Sequence, residues 1–117
     1  MSLTDKEIGK IIEYLDLVLA SMGISIPKPV SIVYVDETGE LELIKKGFIK
    51  VEEGVLIYLP GIIAVRKEYL ANMAIRKLAT GALALAFSST YGSFDINLID
   101  RIIDEHFNKM LSYLYAR

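Results

Sequence analysis

The sequence predicts an α+β domain in which a small mixed or antiparallel sheet is packed on one face by three helices. The chain has 117 residues, of which 53% are hydrophobic, and this suits one domain spanning residues 1–117. Apolar residues recur with a helical period near both ends of the chain, and short β-branched segments separated by turn residues lie between them. The predicted order of elements is α-β-β-β-β-α-α.

The first helix is predicted to begin at Thr4, because Thr4 and Glu7 have the spacing of a capping box. Gly23 is a natural stop for this helix. The residues expected to face the core share one stripe with helical period, and they are Ile8, Ile11, Ile12, Leu15, Val18, Leu19 and Met22.

Four strands are predicted in the middle of the chain. Residues 30–35 are nearly all β-branched or aromatic, so we expect a central strand there. Residues 41–44 follow a turn-like segment and are expected to form a more polar, edge-like strand. Residues 48–52 and 55–59 are expected to form a hairpin with one exposed and one buried strand.

Two helices are predicted after the sheet. The first spans about residues 65–87, and its second half is apolar all round and rich in Ala and Gly. The second is capped by Ser93 or Asp95. The uncharged stretch 78–94 is shorter than the roughly 20 apolar residues of a membrane-spanning helix, so we expect a buried helix and no membrane partner.

Composition excludes several classes of chemistry. The chain contains no cysteine, which rules out disulfides, thiolate metal sites and cysteine nucleophiles. Charged residues precede the first apolar run, unlike in a signal peptide, so a cytoplasmic protein is expected. The absence of glutamine with many Ile, Leu, Lys and Glu residues is typical of heat-adapted proteins. A mean hydropathy of +0.41 favours a homodimer that covers apolar surface.

His106 is the one histidine of the chain. On a helical projection it lies within the apolar arc between Ile103 and Met110. No carboxylate lies three or four residues from it on the helix, so neither an orienting partner nor a shared metal site is built locally. We expect a packed, hydrogen-bonded core histidine, with a catalytic role as the alternative.

Asp100, Asp104 and Asn108 form a ladder along one edge of the last helix. Oxygen ligands in such a row are of the type that Mg²⁺ or Ca²⁺ binds. The ladder lacks an enclosing loop, so we expect a solvated acidic flank and predict neither a metal nor a cofactor.

A basic cluster is the third candidate site. It would attract phosphate groups if its members converged on one surface. No RNA-binding aromatic motif, zinc finger or glycine-rich loop accompanies it, and we expect solvated surfaces instead. The residues are Lys45, Lys46, Lys50, Arg66, Lys67, Arg76 and Lys77.

The predicted element order is similar to that of minimal zinc-metallopeptidase domains. Those domains carry H-E-x-x-H on the helix that follows the sheet. In this chain the corresponding positions are 72–76, with the sequence NMAIR, or 76–80, with RKLAT, and neither supplies a metal ligand. The resemblance therefore implies a domain without the metal and the peptidase activity.

Three functions are compatible with these observations. The first is a non-catalytic interaction or regulatory module that self-associates, since no acid, base and nucleophile assemble from local spacing. The second is a small hydrolase or metal-dependent enzyme that uses His106 with Asp100 or Asp104 and a serine, Ser88, Ser89 or Ser93. The third is nucleic-acid binding through the basic cluster.

Overall fold

A computed structural model describes residues 3–116. The α+β class and the predicted order of one helix, four strands and two helices are confirmed, with a further short helix after the first strand. The elements are α1 (Asp5–Ala20), β1 (Ser31–Val35), α2 (Glu37–Lys45), β2 (Ile49–Glu52), β3 (Val55–Tyr58), β4 (Ile62–Arg66), α3 (Ala71–Tyr91) and α4 (Ile96–Leu114).

The four strands form one mixed sheet in the order β1-β4-β3-β2. β1 runs parallel to β4, whereas β3 is antiparallel to both β4 and β2. The predicted hairpin is thus the β2–β3 pair. On one face, Val55, Ile57, Ile63 and Val65 are buried and belong to the same core cluster as the buried residues of α1, α3 and α4.

The three long helices share that side of the sheet. α3 packs directly on the strands, and α1 and α4 pack against α3 and against each other. This arrangement explains why the second half of α3 is apolar all round, since it is covered by the sheet on one side and by helices on the other.

α2 covers part of the opposite face. Side chains alternate along a strand, so Arg66 points away from the face that holds Val65. Nη1 of Arg66 donates a hydrogen bond to Oε2 of Glu40 on α2 at 3.0 Å. Leu56 and Ala64, which share the face of Arg66, are fully buried.

The caps of α1 and α4 are as predicted. The Thr4 amide donates to Glu7 Oε1 at 2.8 Å, and the Glu7 amide donates to Thr4 Oγ1 at 3.1 Å. At the start of α4, the Asp95 carboxylate accepts from the Asn97 amide at 2.9 Å.

Two predicted elements are wrong. Residues 41–44 belong to helix α2, because the Asp36 carboxylate accepts from the Gly39 amide at 2.7 Å and caps a helix with glutamates in its first turn. Residues 62–66, predicted to lead into a helix from about residue 65, form strand β4. The β-branched residues after the turn at Pro60 and Gly61 favour that strand, and α3 begins at Ala71.

The position of β1 in the sheet also differs from the prediction. Its β-branched composition predicted a central strand, but β1 is an edge strand that pairs with β4 alone. Burial on its inner face explains the apolar composition, because Ile32 and Tyr34 pack against the helical core.

Candidate functional site

The strongest candidate for a binding surface is the free edge of β1. This strand contains no charged residue and no proline. Val33, at its centre, is 38% exposed. An apolar edge strand presents unpaired backbone groups, which form a template for another strand.

The register shows which backbone groups are free. The Ser31 amide donates to Gly61 O at 2.8 Å, and the Lys67 amide donates to Val35 O at 2.9 Å. Successive residues of a strand direct their N–H and C=O groups to opposite edges. Ser31, Val33 and Val35 therefore face β4, whereas the amides and carbonyls of Ile32 and Tyr34 face the open edge, where no described residue bonds them.

The other edge of the sheet is protected in ways that β1 is not. β2 has four residues, and its pairing with β3 shifts register between Lys50 and Glu52. A bulge and charged side chains are features that keep an edge strand from pairing with another chain. The contrast marks β1 as the edge suited to association.

A groove of about 730 Å³ lies beside β1, between α1 and the segment that leads into the strand. Half of its lining residues are apolar, four others are charged, and Leu17 within it is 62% exposed. An extended segment added to β1 would therefore have apolar surface next to it. The apolar wall residues are Ile8, Ile12, Leu17, Pro29 and Val30.

One ion pair, between Lys28 and Asp16, lies in the wall of this groove. Lys28 Nζ binds Asp16 Oδ2 and also donates to Ile26 O at 3.0 Å. The other oxygen of Asp16 accepts from the Ile26 amide at 2.8 Å. These bonds fix the direction in which the chain leaves α1 and enters β1.

His106 lies between the first and last helices. Its Nδ1 shares a hydrogen bond of 2.9 Å with the hydroxyl of Tyr14, and the two rings meet edge to face at 6.0 Å. Burial raises the pKa of Tyr14. The hydrogen bond expected at position 106 is therefore present, with Tyr14 as its partner, but His106 is only partly buried and is not a core residue.

Within residues 3–116, the hydrogen bond of His106 goes to Tyr14 and not to an aspartate or serine of the hydrolase hypothesis. Asp104 pairs with Arg76 of α3. Ser88 and Ser89 lie in the last turn of α3, and Ser93 lies in the connection to α4. His106 is about 15 Å along the α4 axis from that connection, at 1.5 Å per residue.

Asp100 and Asp104 of the acidic ladder do not belong to a larger cluster of metal-ligating side chains within residues 3–116. No group of three His, Cys, Asp or Glu side chains in that range is placed to hold a metal ion. Asp104 and Asn108 are exposed, and Asp100 is partly buried. On α3, the positions that correspond to a zinc motif hold no histidine or glutamate.

The seven basic residues are divided among different parts of the molecule. Arg66 binds Glu40 and Glu68, Arg76 binds Asp104, and Lys77 binds Glu52 at 2.7 Å. These three cations are neutralised by their partners. Lys45, Lys46, Lys50 and Lys67 remain exposed.

Comparison of the chain with protein-family models, with curated proteins and with solved structures found no match. Among residues 3–116, none of the helices has the length and apolar character needed to span a membrane. The surfaces of the chain itself are therefore the basis for a proposed function.

The free edge of β1 was missed in the sequence because strand order depends on pairing with β4, which lies far along the chain. A signal was nevertheless present. Residues 62–66 are rich in β-branched side chains, as residues 30–35 are, and a strand recognised there would have left one of the apolar strands at an edge.

Proposed function

We propose that this protein is a non-catalytic interaction module that self-associates through β1. The observation that carries the proposal is the open edge of that strand, where Ile32 and Tyr34 present backbone donors and acceptors without a described partner. Strand addition to such an edge is a common mode of protein recognition. In this proposal the added strand is β1 of a second copy.

The directions of the backbone groups define the register of the pair. In an antiparallel ladder, hydrogen-bonded residues exchange both N–H···O bonds. Ile32 then lies opposite the partner's Tyr34, and Tyr34 opposite the partner's Ile32. Val33 sits on the two-fold axis and meets the partner's Val33. The two sheets become one continuous eight-stranded sheet, a closed isologous arrangement.

Apolar surface near the edge supports the same arrangement. Val33 on one face, and the groove beside α1 on the other, are exposed in the isolated chain. A second copy would cover both, which accounts for a mean hydropathy of +0.41. We infer a cytoplasmic location, since a cysteine-free chain lacks the disulfides common in small secreted domains.

The test is the mass of the particle in solution. Sedimentation velocity should show a dimer for the unmodified chain. Val33→Lys places two like charges on the two-fold axis and should give a monomer. The matched control is Ile49→Lys on the other edge strand, where the exposed fraction is 45%, and this variant should remain a dimer.

Circular dichroism checks that both variants keep their secondary structure. The proposal is overturned if the unmodified chain is a monomer, if Val33→Lys remains a dimer, or if Ile49→Lys dissociates as completely as Val33→Lys.

A further inference from the structure

A second pocket lies on the other side of the sheet, between α2 and the β2–β3 hairpin. Its volume is about 230 Å³, which is below the range of drug-sized ligand sites and suits a single side chain. Acidic, basic and apolar residues all line it, and they include Glu40, Glu53, Leu41, Ile44, Lys50 and Arg66.

Glu40 is the residue that gives this pocket its chemistry. It is 5% exposed, and its Oε2 accepts from Arg66 Nη1 at 3.0 Å. The other oxygen, Oε1, is buried and has no hydrogen-bond partner among the described residues. Buried carboxylate oxygens are normally paired, so this acceptor needs a donor.

Arg66 does not supply that donor, because its guanidinium is shared. Its Nε donates to Glu68 Oε1 at 2.8 Å and its Nη2 lies 2.7 Å from the same oxygen. The hydrogen bonds with Glu40 and Glu68 raise the pKa of Arg66. One cation is thus divided between two carboxylates, while Glu37 and Glu53 add two further acidic groups beside Glu40 in the pocket wall.

The apolar residues of the pocket indicate that the donor is attached to an alkyl chain. Leu41 and Ile44 are 58% and 39% exposed and lie one turn apart on the pocket side of α2. An alkyl chain would pack along them while a cationic head reaches the carboxylates, as lysine and arginine side chains do on apolar surfaces.

We propose that this pocket binds an alkylammonium or alkylguanidinium group whose N–H donates to Glu40 Oε1. Such a donor would make a charge-assisted hydrogen bond. The same chemistry is found in a free amine and in a lysine or arginine side chain of another protein.

Lys50 allows a test of whether the group bound in this pocket is positively or negatively charged. It is an exposed lysine that lines the pocket without an ion pair to Glu40 or Glu53. Its ammonium repels an incoming cation. Lys50→Met should therefore strengthen binding, whereas the same change would weaken the binding of an anion.

The experiment is a titration of the ¹⁵N-labelled protein with n-butylammonium, followed by the amide signals of α2 and of Glu53. Saturable shifts are expected. Glu53→Gln should weaken binding about threefold to tenfold, and Lys50→Met should strengthen it. Glu53→Gln is preferred to Glu40→Gln, because the latter also removes the buried partner of Arg66 and endangers the fold.

The matched control is Glu42→Gln, at an exposed position of α2 that does not line the pocket, and it should bind like the unmodified protein. Shifts that do not saturate, an equal response to n-butanol, or equal affinities for Glu53→Gln and the unmodified protein would overturn the proposal. A parallel titration with the peptide acetyl-Gly-Lys-Gly-amide identifies the source. Tighter binding of the peptide supports a protein side chain, and tighter binding of n-butylammonium supports a free amine.

Discussion

The hydroxyl of Tyr14 and Nδ1 of His106 are 2.9 Å apart, and their hydrogen bond joins the first helix to the last across 92 positions of sequence. Both side chains are partly buried. In this contact the His106 ring packs edge to face on Tyr14, and the phenol satisfies its Nδ1.

Tyr14→Phe should therefore lower the free energy of unfolding by about 1 kcal/mol, the net contribution of one hydrogen bond. The measurement is urea denaturation, with Tyr91→Phe as the control because Tyr91 is 64% exposed. Combining Tyr14→Phe with His106→Leu should cost less than the sum of the single changes. Strict additivity of the two would show that the residues do not interact in solution.

A pH effect on stability is expected from the neighbouring Tyr113. A hydrogen bond to the Glu13 carboxylate raises the pKa of Tyr113, with burial as a smaller cause. Above a pH of about 10, the unfolded chain releases this proton while the folded chain retains it. The unfolded state then binds fewer protons, so stability falls as the pH rises through this range.

Urea denaturation at several pH values from about 9 to 11, around the ordinary tyrosine pKa, measures this slope. Tyr113→Phe should make the loss of stability with pH smaller than in the unmodified protein. Tyr115→Phe, at a position that is 61% exposed, serves as the control. An unchanged slope in Tyr113→Phe would contradict the assigned hydrogen bond.

Alanine in place of two helical glycines, Gly81 and Gly9, is expected to change the free energy of unfolding in opposite directions. A Cβ added at Gly81 would overlap Ile63 Cγ2 and lie 3.3 Å from Val55 Cγ1, because α3 packs closely on the sheet there. Nothing lies within 4 Å of a Cβ added at Gly9 on α1.

Gly81→Ala should lower the free energy of unfolding by roughly 1–3 kcal/mol through overpacking, reduced in part by the better helix propensity of alanine. Gly9→Ala has only the propensity effect and should be stabilising by up to about 1 kcal/mol. Thermal and urea denaturation of both variants give the comparison. A stabilising Gly81→Ala would mean that α3 and the sheet are not in close contact at this position.

Local patterns in the sequence predicted the first and last helices well. The Thr4–Glu7 capping box and the apolar stripe define α1, and the Asp95 cap marks α4, because these signals lie within one helical turn of the atoms that they position. The hairpin of β2 and β3 was likewise predicted from adjacent segments.

The errors arose where local patterns are ambiguous or where pairing is distant. Residues 41–44 are compatible with a strand or a helix, and the cap at Asp36 decides for α2. The open edge of β1 depends on its pairing with β4, and the Tyr14–His106 contact depends on the docking of α4 onto α1. The alternation of polar and apolar residues along a strand does not show which strands lie beside it. The open edge of β1 was therefore visible only in the folded chain.

The most direct test of β1 pairing is amide hydrogen exchange, measured residue by residue above and below the concentration at which the dimer dissociates. The amides of Val33 and Val35 point to β4 and should be protected at both concentrations. The amides of Ile32 and Tyr34 point to the open edge and should become protected only at the high concentration. Equal, fast exchange of Ile32 and Tyr34 at both concentrations would contradict self-association through β1.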